Sequence, residues 1–244
     1  MKSKALAIAL VVIGVAATLG GLYGQIFLAE DEGHHDGRDF SFALDARSGA
    51  DELVVDSTTS NEVVAQVQRA GQTIGLNGVH EADAHYFVVS EDLAWFDHVV
   101  VTDPGPFETL AAPPGNVRVV AQLSPSGGPD FLELGATVNV DGEPFDALNL
   151  TDTDEWTNGE LSVRRQGFDF VLSEPFNGDD VFDGPALLTL ISGETFAFTH
   201  AHAEVVNGYR LSFATNLPGL GEFLAAVEFE HDGEPVTALF RFTL

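Results

Sequence analysis

The chain has 244 residues, with 38 Asp and Glu against 10 Lys and Arg, a formal net charge of −28 and no cysteine. That balance repels nucleic acid and anionic surfaces, and the missing thiols exclude disulfides, thiolate metal sites and a cysteine nucleophile. Apolar residues make up 45% of the chain, enough to build packed cores and to exclude global disorder.

The only methionine is Met1, so thioether ligands for a Cu(I) site are absent. The only lysines are Lys2 and Lys4. A carboxylate-covered surface almost free of lysine is the halophilic pattern found in haloarchaeal proteins. In molar salt the Debye length falls to about 3 Å, which removes most of the self-repulsion.

Residues 1–28 carry no charge after Lys4, and the apolar run from Ala5 to Leu28 spans a hydrocarbon core of about 30 Å as a helix. Lysines precede the run and Glu30, Asp31 and Glu32 follow it, so the positive-inside rule places the body outside the cell. The segment reads as an uncleaved signal anchor, and the body is secreted if it is cleaved. Residues 29–60, polar, acidic and glycine-containing, read as a spacer. The neighbours His34 and His35 fall in it as solvated side chains.

Beyond residue 60 the chain alternates short apolar runs with turn signals. "EVVAQVQ" (62–68), "HYFVVS" (85–90), "VRVVAQL" (117–123), "FDFVL" (168–172), "ALLTLI" (186–191) and "FRFTL" (240–244) predict strands. "PPGN", "VDGE", "VNGY" and "HDGE" predict turns between them. The two halves also resemble each other. "FDHVVV" (96–101) aligns with "FTHAHA" (198–203), and "GNVRVVAQL" (115–123) with "GEFLAAVEF" (221–229). A repeat of that size predicts an all-β chain of two tandem immunoglobulin-like β-sandwich modules, residues 61–150 and 151–244, after the N-terminal helix.

Five histidines nominate themselves as ligands. His200 and His202 share one face of a strand, and two imidazoles so spaced can reach one Zn(II) or Cu(II). His80, His85 and His98 can converge if the strand holding His85 pairs with "WFDH", with Asp97 or Glu81 adding an oxygen. The competing reading makes these histidines structural, bonded to backbone or carboxylates at strand junctions. "HEADAH" misses the H-E-x-x-H spacing of zinc proteases by one residue, which puts the two rings on different helical faces. "TDTDEW" (151–156) and "NGDDVFDG" (177–184) are acidic but do not match a calcium loop. Asn149-Leu150-Thr151 is a glycosylation sequon. No nucleophile elbow, phosphate-cradling loop or basic aromatic patch is present, so the chain is read as no enzyme and no binder of nucleic acid.

"VHEADAHYFVVSEDLAWFDH" (79–98), together with "PPGNVRVVAQLSPSGGPDFLELGATVNVDG" (113–142), resembles secreted envelope proteins related to YtkA-like domains. In those proteins a histidine-rich strand signature ends in His-x-His-Pro and is followed by Pro-Gly and Pro-x-Gly-Gly turns. "FTHAHAEVVNGYRLSF" (198–213) is similar to the start of their second module. The likeness covers 62–142 and 184–244. It departs where Val100 and Val101 replace a His and a Pro, and where Ala203 replaces the second Pro. The resemblance implies tandem β-sandwiches at the cell envelope, loosely tied to copper and heavy-metal handling. The expectation is therefore an extracellular, membrane-anchored sandwich protein that binds or buffers Cu(II) or Zn(II) through histidines. The alternative is a non-enzymatic surface protein with no metal site, working on an envelope partner.

Overall fold

The computed structural model describes residues 46–58, 61–77, 83–102, 105, 107–125, 132–143, 150–178, 184–215 and 220–244. The apolar segment 1–28, most of the proposed spacer, His34, His35, His80 and Asn149 lie outside the described residues. Among the described residues no helix is long and apolar enough to cross a membrane. All regular structure there is β, arranged in sandwich-like sheets.

The first strands are β1 (Arg47–Ser48), β2 (Asp51–Ser57), β3 (Glu62–Arg69), β4 (Gln72–Thr73), β5 (Leu76–Asn77), β6 (Asp83–Ser90), β7 (Phe96–Thr102), β8 (Phe107–Ala111), β9 (Gly115–Pro125) and β10 (Leu132–Val140). One sheet runs β1-β2-β3-β4, with β8 also paired to β3; a second runs β10-β9-β6-β7, with β5 on β9. Period-two alternation decides what lies between them. Val63, Ala65 and Val67 of β3 face Tyr86 and Val88 of β6 and Val117, Val119 and Ala121 of β9 in one core. Strands β1 and β2 fall inside the stretch read as a spacer. Acidic flanks hide the strand signal there, yet Leu53 sits 2% exposed in the same core.

The later strands are β11 (Leu150–Thr151), β12 (Glu155–Asn158), β13 (Leu161–Gln166), β14 (Asp169–Leu172), β15 (Ala186–Ser192), β16 (Phe198–Val206), β17 (Arg210–Phe213), β18 (Glu222–His231) and β19 (Glu234–Thr243). They form a nine-stranded sheet in the order β11-β19-β18-β15-β16-β17-β14-β13-β12. Strand β16 turns the corner. It pairs with β15 as far as His202 and with β17 from Ala203 onward. The two arms thereby fold over a second core of Trp156, Phe170, Leu188, Phe223, Phe229 and Phe240.

The sheets of β6 and β15 are buried on both faces. Ala84, Tyr86 and Val88 enter the first core, while Phe87 and Val89 enter a third one. Likewise Leu188 and Leu190 enter the second core, and Ile191 the third. That third core (Phe87, Phe96, Val120, Phe198, Leu224, Ala226) holds the β10-β9-β6-β7 sheet against the β19-β18-β15-β16 arm. The result is four β layers with three apolar interlayers.

Candidate functional site: a histidine seam between two sheets

The repeat seen in the sequence is also a repeat of topology. Order β10-β9-β6-β7 matches β19-β18-β15-β16 strand for strand. His98 lies opposite Phe87, which lies opposite Val120; His200 lies opposite Thr189, which lies opposite Ala226. His98 and His200 are therefore equivalent positions, as are Gln122 and Glu228. The inner faces of the two sheets meet in the third core, and at one end that core gives way to polar groups.

Those polar groups form two chains of contacts. In the first, His85 Nδ1 lies 2.9 Å from His98 Nε2, and His98 Nδ1 lies 2.9 Å from Glu228 Oε2. A carboxylate only accepts, so a neutral His98 donates from Nδ1–H to Glu228, and its Nε2 accepts a hydrogen bond from His85 Nδ1–H. The His98 side chain is fully buried and stacks on Phe87 with ring centroids 4.3 Å apart. In the second chain Gln122 Nε2 donates to Glu133 Oε1 and to His200 Nδ1, the latter at 3.0 Å. His200 is thereby fixed as an acceptor at Nδ1. The contacts are reciprocal: His98 reaches the other sheet's Glu228, and His200 reaches the other sheet's Gln122.

Pairing of β6 with β7 brings His85 and His98 together as the sequence suggested. His200 and His202 share a face, their rings 5.8 Å apart and nearly edge-on. The β18 partner across β15 from His202 is Glu228. Glu228, Gln122 and Glu133 were not singled out from the sequence. Glu228 did carry a signal, as the carboxylate interrupting "FLAAVEF" at an inward-facing register.

Strand β7 is an edge, and beside it Asp97, Phe96, Glu228, Trp156, Asn158 and Leu239 border a cavity of about 380 Å³. Burial holds the Asp97 carboxyl above its ordinary range. The neighbouring Glu228 charge adds to the rise, and a hydrogen bond from the His98 backbone opposes it. In "TDTDEW" the acids are already engaged: Asp152 takes Arg241 at 2.6 Å and 3.0 Å, and Asp154 pairs with Arg165.

Among the described residues, the one group of acidic and histidine side chains whose donor atoms all lie within 4.8 Å of one another is elsewhere, at Glu174, His231 and Asp232. At the seam, His85 Nδ1 and His98 Nε2 face each other at hydrogen-bond distance, 2.9 Å, closer than the roughly 3.3–3.4 Å between two donors bound tetrahedrally at about 2.0–2.1 Å. Glu228 holds the far nitrogen of His98 and fixes the orientation of the ring.

No family model matches the chain, and no curated protein does. Among solved structures it is similar to the crystal structure of chicken CNTN1 FN1-FN3 domains, at 12% identity, over 81% of this chain and 69% of that one, with a TM-score of 0.24. A TM-score that low does not specify a shared arrangement of strands.

Proposed function

We propose that this chain is a non-enzymatic cell-surface protein. In this reading an acidic body of immunoglobulin-like sandwiches, anchored by the N-terminal apolar segment, engages an envelope partner through its outer surfaces. Kinship with YtkA-like envelope proteins belongs to the same proposal and rests on residues 79–98 and 113–142. Extracellular exposure would also make Asn149 a glycosylation site. The observation that carries the reading is His98. Both of its ring nitrogens are engaged by protein partners, one on its own sheet and one on the facing sheet. Histidines used in that way fasten two sheets together.

A second reading has its own observation. His85 Nδ1 and His98 Nε2 stand 2.9 Å apart with Glu228 orienting His98, the arrangement in which a carboxylate positions a metal-binding imidazole. On that reading the seam takes up or buffers Cu(II) or Zn(II). Calorimetric titration of the full chain with Cu²⁺ and with Zn²⁺ in molar KCl, beside a His85→Ala/His98→Ala variant, separates the two. Under the fastening role the variant is less stable and its metal heats match those of the parent. A saturable heat present in the parent and lost in the variant would replace that role with metal handling. Surface display is checked by protease treatment of intact cells, which should remove the body; full protection would overturn the location.

A further inference from the structure

Three residues beyond Glu228 along β18, at the tip of the β18–β19 hairpin, three donors of the metal-binding kind meet. We propose that Glu174, His231 and Asp232 form a site for one divalent transition-metal cation of the Zn²⁺ class, independent of the seam histidines. The hairpin turns on Asp232-Gly233, with φ of +54° and +80°, the pair of left-handed residues a two-residue turn requires. His231 pairs with Glu234 to close it. Asn177 clamps Asp232 from two sides. Its Nδ2 donates to Asp232 Oδ1 at 2.5 Å, and its Oδ1 accepts from the Asp232 backbone N–H at 3.1 Å. That leaves Asp232 Oδ2 facing His231 Nε2 at 3.9 Å, while Glu174 Oε2 lies 3.4 Å from the same nitrogen. All three donor atoms fall within 4.8 Å of one another. Donors bound tetrahedrally at about 2.0–2.1 Å stand roughly 3.3–3.4 Å apart, so of the three pairs Glu174–His231 is already at the required spacing, Asp232–His231 is about half an ångström long, and Glu174–Asp232 falls within 4.8 Å.

Three further observations favour a ligand over a chance cluster. The His231 side chain is nine-tenths buried, and its Nε2 faces the Glu174 and Asp232 carboxylates at 3.4 Å and 3.9 Å, while Nδ1 is buried on the other side of the ring with no hydrogen-bond partner. With its proton on Nδ1, Nε2 presents a lone pair to two carboxylates that also only accept, and a cation among the three answers all of them. The segment carrying Glu174 is also rigid. Ser173 N–H bonds Ser162 O at 2.8 Å, and Phe176 N–H bonds Gly208 O at 2.6 Å. Gly178 runs so close to β18 that a Cβ there would meet Glu230 O at 2.0 Å. Finally, among the described residues Glu174 and Asp232 have no arginine partner, unlike Asp152, Asp154 and Asp169. With a neutral imidazole the group carries two negative charges, which a divalent ion neutralises. Glu174 and Asp232 are 45% and 70% exposed, so the ion reaches the site from solvent.

The test is calorimetric titration of the full chain with Zn²⁺ in molar KCl and excess Mg²⁺, which occupies ordinary surface carboxylates. Asp232→Asn, His231→Gln and His85→Ala/His98→Ala variants run alongside. Asn tolerates the left-handed backbone at 232; unchanged thermal melts confirm that the two hairpin variants fold, and a cooperative melt at lower temperature confirms that the seam variant does. We expect one Zn²⁺ per chain, weakened at least tenfold by Asp232→Asn and by His231→Gln and untouched by the seam variant. Cobalt substitution should give the intense visible absorption of a four-coordinate ion in the parent and not in His231→Gln. No saturable Zn²⁺ binding, or binding indifferent to both hairpin substitutions, would overturn the proposal. Loss of Zn²⁺ only in the seam variant would overturn it as well and favour metal at the seam.

Discussion

Truncating Glu228 gives the most direct test of the seam. Its side chain is 11% exposed and accepts the His98 Nδ1–H at 2.9 Å across the two sheets. Glu228→Ala leaves that N–H buried with no acceptor, which costs about 1–3 kcal/mol. Relief of the repulsion that raises the Asp97 carboxyl subtracts a little from this, so a net loss near 2 kcal/mol is expected. His98→Phe keeps an aromatic ring against Phe87 but removes both nitrogens. It strands the Glu228 carboxylate and His85 together, for about 2–4 kcal/mol. Because the two substitutions remove one shared contact, the double variant should fall short of their sum by about 1–2 kcal/mol.

The assay is urea unfolding of the four proteins at one fixed KCl concentration, with unchanged m-values as the condition for comparison. A loss of about 2 kcal/mol corresponds to roughly 4–8 °C in Tm for a body of this size. Additivity within about 0.3 kcal/mol would refute the reasoning, because it would mean that His98 and Glu228 do not stabilise each other.

Phe87 packs against Phe198 at 4.7 Å and His98 at 4.3 Å in the third core, and Phe87→Ala should cost about 3–5 kcal/mol in the same urea assay. Gly178→Ala places a methyl 2.0 Å from the Glu230 carbonyl oxygen, so a loss of about 1–3 kcal/mol or more is expected in thermal melts; a neutral result would mean that the 173–178 segment does not hold this course. Asp97 has a raised carboxyl in the folded state, caused first by burial, so its ionisation opposes folding above that raised value and ceases to do so below the ordinary Asp range. Asp97→Asn should therefore stabilise at pH 7, with the gain vanishing as the pH falls through the folded value to the unfolded one. A gain independent of pH would refute it.

Much of the layer pattern is legible in the sequence, because burial on two faces leaves a distinct mark. "HYFVVS" and "ALLTLI" do not alternate, and both prove to be strands with a core on each side. The offset between "FDHVVV" and "FTHAHA" anticipates the matched strand orders. The pairing of β6 with β7, which joins His85 to His98, follows from the apolar run and the turn after it. What sequence reasoning missed were partners of long separation. A glutamine in "VRVVAQL" looks like any solvent-facing residue of an alternating strand. Only the packing of a second sheet on that face turns Gln122 inward, at 1% exposure. The β2 strand was missed for a related reason: one core residue, Leu53, is flanked by Asp51, Glu52 and Asp56 in a stretch whose composition argues for solvent. Glu174 and His231 are separated in the chain by β15, β16, β17 and the length of β18, so only the fold brings them to one hairpin tip.

The reciprocity of the seam explains why polar groups persist where apolar ones would pack. Two sheets joined only by Phe, Val and Leu could slide, since a hydrophobic interlayer has little directional preference. The His98–Glu228 and His200–Gln122 contacts are both satisfied in a single relative placement. Equivalent residues meet across the interlayer as they do in an isologous dimer, here between two halves of one chain. The repeats differ at one informative point. Glu228 can only accept, so His98 donates through Nδ1; Gln122 donates through its amide, so His200 accepts through the equivalent nitrogen. The two histidines are therefore held in opposite tautomers by a single exchange of carboxylate for amide. A second carboxylate at position 122 would bury another negative charge beside Glu133, in a chain that already carries −28. The amide keeps the cross-sheet contact and avoids that charge, so the seam as a whole holds one fewer buried anion than a symmetric repeat would require.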